Sequence, residues 1–66
     1  MSNYKERVID ECEALREKLI ALRRFIDSGE FGSPSLSVRD RQNLREQERY
    51  MGGYLSILRD RIDLFE

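Results

Sequence analysis

Residues 28–35 read Ser28-Gly29-Glu30-Phe31-Gly32-Ser33-Pro34-Ser35, a stretch with two glycines, three serines and the chain's only proline. Proline lacks the N–H that a helix interior requires and biases the residue before it towards extended backbone, while glycine loses the most conformational entropy in a helix. No helix continues through such a stretch, so it reads as a connection over residues 28–37 that divides the chain into two halves. The rest of the reading depends on what those halves have in common.

Upstream, Val8, Cys12, Leu15, Leu19, Leu22 and Ile26 recur at alternating spacings of four and three, which puts all six on one face of a helix. Asn3 and Glu6 have the N-cap and N3 chemistry of a capping box, and Ser28-Gly29 offers a stop through glycine's access to positive φ. The first helix is therefore predicted over about 4–27. Downstream, Ser37 and Asp40 form a second capping signal directly after Pro34, and the second helix is predicted over about 38–65. Its seam is Leu44, Met51, Leu55, Leu58, Ile62 and Phe65, flanked by Tyr50, Tyr54, Ile57 and Leu64. The predicted fold class is all-α: a single domain over 1–66 in which an antiparallel two-helix hairpin sets Leu22 near Leu44, Leu15 near Met51 and Val8 near Leu58. Tyr4 then comes towards the end of the second helix, around Arg61. Phe31 and Leu36, apolar within the connection, either fold back over the open end of the hairpin or stand out as anchors for a partner.

With 66 residues there is room for one core only. Apolar residues at 39% and charged residues at 38% are too polar a mixture for a membrane span, yet too periodic in leucine and isoleucine for disorder. The N-terminal residues lack the apolar core of a signal peptide, so the expected location is the compartment of synthesis, the cytoplasm. A net charge of −1 argues against DNA as a partner, since no global positive field is present. The single cysteine, Cys12, cannot close an internal disulfide and reads as a small core residue. With no histidine, no nucleophile elbow and no glycine-rich phosphate loop, the sequence carries no catalytic or metal site and implies no cofactor. The chain reads as a binding protein.

One layer of helix–helix contact rarely outweighs the ordering entropy of a chain this long. Ile9, Ile20, Phe25, Tyr54, Ile57 and Leu64 remain after the hairpin is closed, so self-association into a helical bundle is expected, with Met51, Gly52, Gly53, Leu55 and Leu58 as the packing positions. The Gly52-Gly53 pair interrupts the second helix, where each glycine costs about 1 kcal/mol relative to alanine. Close helix packing, a kink, or a hollow for a ligand would each account for it.

Arg41, Arg45 and Arg49 follow at i, i+4 and i+8 along one stripe of the second helix. Glu46 and Glu48 stand within reach to neutralise part of it, which would make it an ordinary salt-bridged face. The alternative is an anion site, in which the arginines grip phosphate and Tyr50 and Tyr54 stack on a base or ribose. Arg39 adds a cation near the helix N-terminus. The acids Glu6, Asp10, Glu11, Glu13 and Glu17 point several ways on the first helix and have no cation-binding spacing.

The succession Arg7-Val8-Ile9-Asp10-Glu11, then Leu15-x-x-Lys18-Leu19-x-x-Leu22-x-x-Phe25-Ile26, then Leu44-x-x-Gln47-x-x-x-Met51-x-x-Tyr54-x-x-x-Leu58-x-x-Arg61-Ile62 resembles a group of small helical-hairpin proteins of tailed bacteriophages and prophages. The glycine pair before Tyr54 departs from a purely packed hairpin. By analogy of size and architecture, the resemblance implies a phage accessory protein that counters host defence, most specifically an oligomeric sponge for a cyclic nucleotide or related phosphorylated immune signal in the host cytoplasm. The alternative is a protein-binding inhibitor or adaptor acting on a host enzyme or defence complex through Phe31, Leu36 and the apolar flank that includes Ile57.

Overall fold

The structure is a computed structural model that describes residues 3–65; Met1, Ser2 and Glu66, included in the expected domain, lie outside the described residues. Helix α1 spans Tyr4–Asp27, a short 3-10 helix covers Gly29–Gly32, and helix α2 spans Val38–Asp63. The two long helices pack on each other as an all-α hairpin, the fold class read from the two seams.

Local chemistry fixes each helix end. Asn3 Oδ1 accepts from the Glu6 backbone N–H at 2.9 Å and opens α1. At its other end the expected glycine stop is replaced. Ser28 is extended (φ −84°, ψ 163°), its backbone N–H and its hydroxyl both donate to the Phe25 carbonyl, and none of the four glycines, all within the described residues, has positive φ. A serine side chain satisfies the orphan carbonyl here, so the left-handed turn is not required. At the start of α2 the capping box is complete: Ser37 Oγ accepts from Asp40 N–H and Asp40 Oδ2 accepts from Ser37 N–H, each at 3.0 Å.

Hydrogen bonding from Ser37 to the Asp40 carboxyl holds it below its ordinary value of 3.8, the Ser37 backbone N–H being the larger cause and its hydroxyl the next. A carboxylate with a lowered folded value stabilises the fold fully above 3.8, and the contribution is lost as pH falls from there through the folded value. Ser37→Ala is expected to cost about 1 kcal/mol in denaturant unfolding at neutral pH. The variant should also show a weaker loss of helicity on acidification than the parent, which circular dichroism would measure.

Val8, Cys12, Leu19, Leu55 and Leu58 form one buried cluster, with Leu15, Met51, Ile62 and Phe65 packed against it. Cys12 is an unpaired thiol in that cluster, as its spacing indicates. Leu55 and Leu58, with Met51 beside them, are thus engaged by α1 within the hairpin, on the face of α2 that the antiparallel contact uses. At the open end Tyr4 meets Phe65 edge-on, with ring centroids 5.7 Å apart. At the turn Phe31 is buried against Phe25, their rings T-shaped at 6.5 Å, so it folds back as a cover and is not presented to a partner. The radius of gyration is 15.0 Å, against about 11 Å for a spherical domain of this length, which reflects a rod one helix pair thick.

Candidate functional site

The five residues singled out as a ligand site do not converge. Arg41 turns back to the connection, where its Nη1 donates to the Leu36 carbonyl at 2.8 Å. Arg45 lies over the Phe31 ring at 4.9 Å and helps roof the turn. Arg49 donates to Glu46 at 2.9 Å and to the Tyr50 hydroxyl at 3.1 Å, and the Glu46 bond chiefly holds its guanidinium above the ordinary range. Tyr54 bonds to Glu11 of α1, and that carboxylate raises the phenol's pKa. Tyr54 falls on the flank of α2 opposite to the arginine stripe, since two residues beyond Gly52 is about 200° of helical turn, whereas Tyr50 stays beside Arg49, whose guanidinium lies over its ring at 4.8 Å. Glu48, expected to neutralise the stripe, reaches across to α1 instead and pairs with Arg23 Nε at 3.1 Å.

Convergence occurs elsewhere. The stripe of α2 continues past Arg49 at helical spacings of three and four through Gly52 and Ser56 to Arg59. Arg16, Ile20 and Arg23 of α1 face this continuation, and the two rows enclose an open groove of about 350 Å³ floored by Leu19, Leu55 and Gly52. That volume falls within the range of small-ligand sites, about 300–1,000 Å³. Three guanidinium groups line the groove and no carboxylate does. Arg23 is tied to Glu48, whereas neither Arg16 nor Arg59 has an ion-pair partner among the described residues. Like charges gathered in a concave site repel, and an anion between them removes that cost.

Gly52 gives the groove its depth. A Cβ built there would lie 3.6 Å from Arg23 Nη2, ordinary contact, so the hairpin would accept alanine; a longer side chain would enter the groove. Sequence reasoning missed Arg16, Arg23 and Arg59. Extending the i, i+4, i+8 stripe by nearly three more turns would have reached Arg59, but the α1 arginines become neighbours only once the register is known. Among the described residues there is no cluster of metal-ligating side chains, and no helix is long and apolar enough to cross a membrane.

A helical hairpin with a cationic, apolar-floored groove between its helices defines a small binding module. The particular family follows from the whole chain: residues 2–64 match the Sequestin family, and the protein belongs to it. Its name fits a sequestering role, in which a partner is held and not transformed. No curated protein and no solved structure matches the chain.

Proposed function

We propose that this protein sequesters a small phosphorylated molecule, most specifically a cyclic nucleotide or related immune signal, and that it does so as a phage accessory protein countering defence in the host cytoplasm. One observation carries the reading: Arg16, Arg23 and Arg59 converge on a groove without a carboxylate, and two of the three have no ion-pair partner among the described residues. Guanidinium forks match phosphate oxygens bidentately, and the floor of Leu19, Ile20 and Leu55 offers apolar contact to a base. Arg45 and Arg49 extend the same flank and would add long-range attraction for the anion. Tyr50 and Tyr54, proposed from the sequence as stacking faces, take part only if a second copy brings them to the ligand. Membership of a family named for sequestration fits binding without turnover.

Calorimetric titration with a panel of cyclic and linear nucleotides tests this. Saturable binding, with the nucleotide recovered chemically unchanged, is the expected result. A protein that takes up none of the panel but co-purifies with a host enzyme would overturn it in favour of the adaptor reading. Phe31 burial already weighs against that reading at the turn.

A further inference from the structure

The three arginines of the groove are not equivalent. Arg23 reaches over Gly52, where its Nη2 lies 3.6 Å from the position a Cβ would take, and its Nε bonds the partly buried Glu48 carboxylate at 3.1 Å. That guanidinium is anchored and its charge is matched. Counting from this contact, seven residues back along α1 reach Arg16 and seven forward along α2 reach Arg59. In antiparallel helices both steps run the same way, which sets Arg16 level with Arg59 about 10 Å along the rod from Gly52. Neither has an ion-pair partner among the described residues. Ile20 and Leu55 lie midway along the groove. It therefore has a cationic end, an apolar middle, and an end that is electrically neutral yet still presents a guanidinium.

We infer that the groove takes its ligand in one orientation, with phosphate between Arg16 and Arg59 and a nucleobase stacked on the guanidinium of Arg23, and that Glu48 and Gly52 set this orientation. The inference rests on the groove being the ligand site and adds which end takes which part. Phosphate goes where charge is unmatched, because two guanidinium groups facing one another gain most from an anion between them. At the other end the same phosphate would meet Glu48, a like charge that already holds Arg23.

A base has the opposite requirement. It is uncharged, and a planar, weakly hydrated guanidinium gives it a stacking face. Pairing with Glu48 keeps that face in place without drawing a second anion to it. Gly52 supplies the room: without a side chain there, Arg23 lies low across the two helices, and a residue larger than alanine would lift it. This accounts for a glycine tolerated inside α2 at a helical cost of about 1 kcal/mol. The separation of about 10 Å between the two ends matches the span of a nucleoside monophosphate from phosphorus to the outer edge of its base.

Calorimetric titration of the full chain with adenosine monophosphate, ribose phosphate and ribose bisphosphate is the test, with helicity checked by circular dichroism. The parent is expected to prefer adenosine monophosphate to ribose phosphate by at least about tenfold, the increment of one stacked base. Gly52→Leu, a better helix former, should bring that ratio close to one. Glu48→Gln keeps an acceptor for Arg23 Nε but removes the carboxylate, so the preference for ribose bisphosphate over ribose phosphate should rise about tenfold above the parent's. A parent that does not distinguish adenosine monophosphate from ribose phosphate, a Gly52→Leu protein that keeps the preference, or a Glu48→Gln protein that gains nothing for the bisphosphate would overturn the inference. If Arg59→Glu still abolishes binding in that case, the groove stands and only the orientation falls. Binding of none of the probes, or binding untouched by Arg59→Glu, would remove the groove reading and the orientation with it.

Discussion

Leu58→Ala should leave the protein largely unfolded at room temperature. Leu58 is fully buried, 0% exposed, in the cluster that joins α1 to α2. Truncating a buried leucine to alanine removes its transfer free energy and leaves a cavity, together about 2–5 kcal/mol. A hairpin with only seven buried apolar side chains among its described residues has a total stability of no more than that order. Val38→Ala is the control: Val38 is 64% exposed at the start of α2, and its replacement should move the unfolding midpoint little. Equal losses in the two variants, measured by urea unfolding, would mean that the cluster around Leu19 and Leu58 does not hold the hairpin together.

The second large effect is on binding. Arg59→Glu should weaken nucleotide binding by about a hundredfold, because it replaces a charge-assisted donor with a repelling carboxylate. The fold should be unaffected, since Arg59 is exposed and has no ion-pair partner among the described residues to lose. Arg23 is a poorer choice for the experiment, because its bond to Glu48 ties α1 to α2 and reversal would disturb the hairpin as well. Arg45→Ala distinguishes the groove from the stripe. Arg45 stacks on Phe31, so the substitution should loosen the turn while changing affinity by only the small factor expected from a distant charge. If Arg45→Ala abolishes binding and Arg59→Glu does not, the ligand lies on the stripe and the groove is incidental.

The hairpin was legible because its determinants are local. Pro34 within a serine- and glycine-rich stretch marks the connection, Ser37 and Asp40 start α2, and the period of the apolar positions assigns one face of each helix to the core. Local rules also explain where the expectation at Ser28-Gly29 failed: serine has a hydroxyl that competes for the same terminal carbonyl, and sequence offers no way to choose between that bond and a positive-φ glycine. The site was legible only in the half contributed by one helix. The arginine stripe of α2 was visible as a spacing, but its partners depend on which α1 residues stand opposite, a matter of register and rotamer. Glu48 illustrates the point: on α2 alone it neighbours Arg45, and in the hairpin it bonds Arg23. Tyr54 is a second case, drawn to Glu11 by proximity across the helices and away from the arginines to which sequence had assigned it. Gly52 and Gly53 look equivalent as letters, yet one floors a groove and the other faces open space, because adjacent helical positions point about 100° apart.

The most direct test of the central claim, stoichiometric capture of a phosphorylated ligand in the α1·α2 groove, is native mass spectrometry of the parent and of Arg59→Glu, each with and without a panel of cyclic and linear nucleotides. The account predicts a parent that gains discrete nucleotide-sized increments, one for each hairpin, and an Arg59→Glu protein of unchanged assembly that gains none. A parent that ignores every nucleotide, or an Arg59→Glu variant that binds as the parent does, would contradict it.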